Sequence, residues 1–69
     1  MNKNAVALNI PANITIEDDG YVYRWTGNSG VAIGRLDDFA EAAYIEGKPN
    51  MSKYVRSAQE GLDYILKHA

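Results

Sequence analysis

A chain of 69 residues and 7.6 kDa has room for one domain, spanning 1–69, around one small core, since a domain of this size buries only about 60% of the surface its unfolded chain exposes. Seven basic against nine acidic residues give a net charge of -2, so there is no basic surplus of the kind that generic phosphate binding wants. With 46% apolar and 23% charged residues the composition is globular, and the lack of cysteine together with a single histidine, His68, excludes disulfides, thiolate chemistry and the usual zinc spacings.

The N-terminal stretch "AVALNIP" alternates Val6, Leu8 and Ile10 with smaller or polar residues. That period of two predicts a half-buried strand ended by Pro11. "NITIEDDGYVYRW" follows and reads as a hairpin, because Asp19-Gly20 is a strong signal for a two-residue turn. Such a turn sets Asp18 opposite Tyr21, Ile16 opposite Tyr23 and Ile14 opposite Trp25. Tyr21, Tyr23 and Trp25 would then share a face with the two isoleucines, and cross-strand aromatic to β-branched pairs stabilise sheets. On this register the aromatic row is expected to be core.

"TGNSG" at 26–30 reads as a loop and "VAIGR" as a further strand, with Trp25 opposite Val31 and Tyr23 opposite Ile33. Asp37 stands as an N-cap before "DFAEAAYIE", where Asp38 and Glu41 suit the positive end of a helix and Gly47 suits its end. Phe39, Ala42 and Ala43 are expected to face the sheet from that helix. "KPNMSKYVR" reads as a mildly basic loop. "SAQE" at 57–60 has capping-box spacing, and Ala58, Leu62, Ile65 and Leu66 follow with helical periodicity, predicting an amphipathic helix over 58–68. Gly61 inside it costs about 1 kcal/mol relative to alanine, which points to close packing.

The expected fold is therefore α+β: a small antiparallel sheet of three to four strands with two α-helices packed on one face, in the order β-β-β-β-α-α. In topology alone this layout is similar to small sheet-plus-helix nucleic-acid modules such as the N-terminal arm-binding domains of phage integrases. No motif is shared.

Chemistry-bearing constellations are few. Ser29, Ser52 and Ser57 have no histidine near in sequence, and His68 sits in the last turn of a terminal helix, where a cation suits the dipole. Glu17, Asp18 and Asp19 cluster at a turn, and Asp37, Asp38 and Glu41 at a predicted cap; turn and cap chemistry accounts for both. The glycines of "GNSG" match neither a dinucleotide fingerprint nor a P-loop. No catalytic residue, metal or cofactor is expected. No apolar run approaches the roughly 18 residues of a membrane span and no signal core is evident, so a cytoplasmic location away from membranes is the default.

Aromatic residues are the conspicuous resource: five tyrosines, one tryptophan and one phenylalanine. Tyrosine and tryptophan are favoured at protein interfaces because they give large contact area at low entropic cost. The leading expectation is a non-enzymatic protein-binding module, an accessory or inhibitor protein of the kind found among phage accessory proteins. It would meet a basic partner through Asp18, Asp19, Asp38, Glu41, Tyr44, Tyr54 and Tyr64. A second expectation is single-stranded nucleic-acid binding, with bases stacked on Tyr21, Tyr23 and Trp25 and the backbone met by Arg24, Arg35, Lys53 and Arg56. Self-association as a homodimer or larger homo-oligomer is a third.

Overall fold

A computed structural model of the chain describes residues 8–37 and 41–69. Five strands, β1 (Ile14–Ile16), β2 (Tyr21–Thr26), β3 (Ser29–Leu36), β4 (Ala42–Ile45) and β5 (Lys48–Tyr54), precede a helix, α1 (Ala58–His68). The strands form one antiparallel meander in the order β1-β2-β3-β4-β5. Among the described residues α1 is the one α-helix, so the expected pair of helices on a smaller sheet is not the architecture.

The correction falls on the segment after Asp37. Its alanines and glutamates favour helix only weakly, by tenths of a kcal/mol per residue, and pairing with the rest of the sheet overrides that preference. Ala43 and Ile45 sit opposite Leu36 and Gly34 of β3 and are buried, while Tyr44 between them is exposed. Alternation of this kind belongs to a strand. Gly47, expected to stop a helix, instead takes a φ of 76° in the turn that reverses the chain into β5. Pro49 fits β5 because this is an edge strand, where a missing N–H need not cost a ladder bond. Asp37 accepts the backbone N–H of Glu41 at 2.6 Å through Oδ1, and its own N–H donates to the Ala42 carbonyl at 3.1 Å. It closes the β3–β4 connection. Asp38 and Phe39 lie outside the described residues, as does Val6 of the expected first strand; residues 8–10 are not in a strand.

The β1–β2 register also departs from expectation. Asp18, Asp19 and Gly20 form a three-residue loop closed by the Glu17 N–H donating to the Tyr21 carbonyl at 2.8 Å, with Gly20 at a φ of 93°. A left-handed glycine closing such a loop is the common three-residue alternative to the tight two-residue turn. The pairing consequently shifts by one residue: Ile14 faces Arg24, Thr15 faces Tyr23 and Ile16 faces Val22. Because side chains alternate, a one-residue shift exchanges the two faces of a strand. Val22 becomes fully buried, and the aromatic row moves to the other side of the sheet.

Between β2 and β3 the turn is also tighter than the expected five-residue loop. Thr26 pairs with Ser29 around Gly27 and Asn28, and Trp25 therefore faces Gly30 rather than Val31. A bulge follows, since Val22 pairs with Gly34 but Tyr23 with Ala32, leaving Ile33 as the extra residue. Ile33 and Gly34 are in consequence both buried.

The predicted terminal helix is present over its expected span, Ala58–His68. Ser57 is its N-cap, its Oγ accepting the Glu60 N–H at 3.1 Å, while Glu60 Oε1 accepts the N–H of Arg56, one residue before the cap, at 3.3 Å. Leu62 and Ile65 are wholly buried against Ile14, Val22, Ile33, Leu36, Ala43, Ile45 and Val55. A Cβ on Gly61 would strike the Leu36 side chain and lie 3.3 Å from Val55 Cγ2. The glycine thus brings the helix backbone down onto the sheet. All of this packing is on one face, which we call the inner face.

Candidate interaction surface

The outer face of the sheet is the side opposite α1. Alternation and register place on it Thr15 of β1, Tyr21, Tyr23 and Trp25 of β2, Gly30, Ala32 and Arg35 of β3, Ala42 and Tyr44 of β4, and Ser52 and Tyr54 of β5. No described helix covers it. Trp25 is 39% exposed, Tyr44 38% and Tyr54 87%, whereas Tyr21 and Tyr23 are half-buried by their neighbours within the sheet.

Two sub-arrangements give this face its character. Along β2, the Tyr23 and Trp25 rings lie 6.4 Å apart and tilted by 37°. The indole is pinned by Nε1 donating to Thr15 Oγ1 at 2.8 Å and by its position over Gly30, where a Cβ would come within 2.9 Å of three ring atoms. Across the strands, Tyr21, Arg35 and Tyr44 are directly opposite one another in register. The Arg35 guanidinium is 4.5 Å from the Tyr44 ring centroid and 6.0 Å from that of Tyr21, a cation stacked between two rings.

Beside Tyr44 and Tyr54 is a shallow cavity of about 110 Å³, lined also by Ala42, Ser52 and Lys53. Small-molecule sites typically occupy about 300–1,000 Å³. This depression is sized for one side chain.

The remaining candidate residues separate into distinct places. Arg24 pairs with Ile14 and Val31 on the inner face. Lys53 has its Nζ 5.1 Å from the Tyr64 ring centroid, toward α1, and Arg56 lies in the connection to that helix. Of the four cations expected to line a nucleic-acid track, the aromatic face thus holds Arg35, while Lys53 contributes to the wall of the cavity but turns its ammonium toward Tyr64. Tyr64 is on α1, its hydroxyl donating to the Met51 carbonyl at 2.6 Å and its ring 4.6 Å from that of His68, so it joins helix to edge strand. Tyr44 and Tyr54 belong to the outer face and Tyr64 does not.

Glu17, Asp18 and Asp19 at the β1–β2 loop and Asp37 and Glu41 at the β3–β4 connection come to the same end of the meander. Three backbone bonds mark that meeting: the Leu36 N–H donates to the Gly20 carbonyl at 2.9 Å, Asp37 to Ala42 at 3.1 Å and Val55 to Glu41 at 2.9 Å. Asp19 Oδ1 also accepts the Tyr21 N–H at 3.1 Å, tying the acidic loop to the start of the aromatic strand. The outer face therefore runs from the polar Gly27–Asn28 turn at one end to an acidic rim at the other. Its Arg35–Tyr44 pair and the small cavity were not legible from the sequence, because both depend on 42–45 pairing with β3 as a strand.

Among the described residues, no group of three or more histidine, aspartate or glutamate side chains is placed to hold a metal ion, and no helix is long and apolar enough to cross a membrane. No protein-family model, curated protein or solved structure matches the chain.

Proposed function

We propose that this chain is a protein-binding module whose docking surface is the outer face of the sheet: Tyr21, Tyr23, Trp25, Arg35, Tyr44 and Tyr54, bordered by the acids Asp18, Asp19 and Glu41. One observation carries the reading, namely that the tyrosine and tryptophan row occupies the face α1 leaves uncovered. Exposed aromatic patches of this sort mark interaction sites, and rings already fixed by neighbours lose little entropy when a partner arrives.

Single-stranded nucleic acid is the competing occupant, favoured by the exposure of Trp25, since bases stack on accessible rings. Against it stands charge. Backbone-tracking sites use a positively charged groove, whereas here Arg35 is stacked between two rings, Lys53 contributes only to the cavity wall, and the end of the face is acidic.

The two occupants are separated by titrating the protein with a labelled oligothymidine in low salt and by panning it against a displayed library of random dodecapeptides. Enriched peptides that lose binding to Tyr44→Ala, with no oligonucleotide binding, support the proposal. Oligonucleotide binding that quenches Trp25 and disappears as salt rises would overturn it in favour of the nucleic-acid reading.

A further inference from the structure

We infer, building on the protein-binding reading, that the occupant of the outer face is a proline-rich segment in polyproline II conformation with a basic residue at one end. Hydrogen-bonding chemistry is the first support. Among the described residues the hydroxyl of Tyr64 is satisfied by Met51, but those of Tyr21, Tyr23, Tyr44 and Tyr54 meet no partner. The Arg35 guanidinium is stacked on rings and likewise meets no hydrogen-bonding or ion-pair partner. The face thus presents aromatic surface studded with unused O–H and N–H donors. A proline run is its complement, because each proline offers a carbonyl acceptor and an apolar ring but no N–H to leave unpaired.

Geometry and charge point the same way. From Tyr21 to Trp25 is four strand steps, about 13 Å, which four residues of polyproline II at about 3.1 Å each would span. The cavity beside Tyr44 and Tyr54 takes one small ring. With no deep groove, affinity must come from a ligand that loses little freedom on binding, and polyproline II is already extended before it docks. The carboxylates of Glu17, Asp18, Asp19 and Glu41 at the end of the face then lie where a flanking lysine or arginine would be held.

Sequencing the dodecapeptide pool enriched on the native chain tests this, followed by fluorescence anisotropy with one enriched peptide. The expected pool carries two or more prolines beside a lysine or arginine. Tyr44→Ala or Tyr54→Ala should weaken the peptide about tenfold or more, and Asp18→Lys with Glu41→Lys should weaken it only when its basic residue is present. Tyr54 is 87% exposed, so the fold of its variant is not at risk, and a retained thermal melt checks this. Enriched peptides that lack proline yet still depend on Tyr44 would overturn this inference while leaving the protein-binding reading standing. No enrichment, combined with a sedimentation profile showing self-association that Tyr54→Ala abolishes, would replace the peptide by a second copy of the chain.

Discussion

The indole of Trp25 lies across Gly30 on the neighbouring strand, so close that a Cβ there would come within 2.9 Å of its ring atoms. An aromatic ring covering a cross-strand glycine shields backbone that would otherwise lie bare, and it holds the ring flat on the sheet. Gly30→Val is expected to push the indole out, costing about 1 kcal/mol through lost packing and the lost bond to Thr15. Trp25 emission is expected to be partly quenchable by acrylamide in the native chain, given its 39% exposure, and should shift further to the red in the variant. A blue-shifted, unquenchable native signal would place Trp25 in a core and contradict the fold.

Trp25→Ala separates surface from core by magnitude. A fully buried tryptophan costs about 3–5 kcal/mol on truncation, but a ring with 39% exposure should cost less than that range's upper end, because part of its area is already in water. Chemical denaturation of the variant reads the difference. Survival of a cooperative transition is expected.

Leu62→Ala and Ile65→Ala should behave oppositely. Both side chains are wholly buried at the helix–sheet contact, and such truncations cost about 2–5 kcal/mol. Stability of about 0.05–0.15 kcal/mol per residue leaves a chain this short little reserve. Loss of the cooperative thermal transition in either variant is the expected result.

Gly61→Ala gives the packing of α1 a sharper test. Helix propensity alone would make it stabilising by about 1 kcal/mol, yet the new Cβ would strike Leu36 and approach Val55, and overpacking costs about 1–3 kcal/mol. A net fall in the denaturation midpoint is expected. A rise would show that the helix does not press on β3.

Gly20→Ala should be among the most damaging single changes outside the core. Gly20 has a φ of 93°, its carbonyl accepts the Leu36 N–H at 2.9 Å, and a Cβ would run into the Leu36 carbonyl oxygen. Left-handed geometry alone costs a residue with a side chain about 1–2 kcal/mol, and the clash adds to it. Slower, less cooperative refolding with a midpoint shift of at least that size is the expected observation.

What the sequence determined by itself is what local chemistry encodes. Ser57 and Glu60 place the start of α1, and Leu62 and Ile65 name its buried side. The glycines at 20 and 47 mark reversals of the chain, although only the fold shows that the second joins two strands rather than ending a helix. Composition likewise showed that aromatic rings were plentiful, but not which of them face out.

Tertiary structure decided the rest, because two choices depended on partners distant in the chain. Whether 42–45 coil or extend turned on pairing with β3, an energy absent from any local propensity. Whether Tyr21, Tyr23 and Trp25 face the core or the solvent turned on a single residue of loop length. Three residues rather than two between Glu17 and Tyr21 put Val22 under the helix and the aromatic row on the open side. With a side-chain period of two, that one residue exchanged the core for the surface.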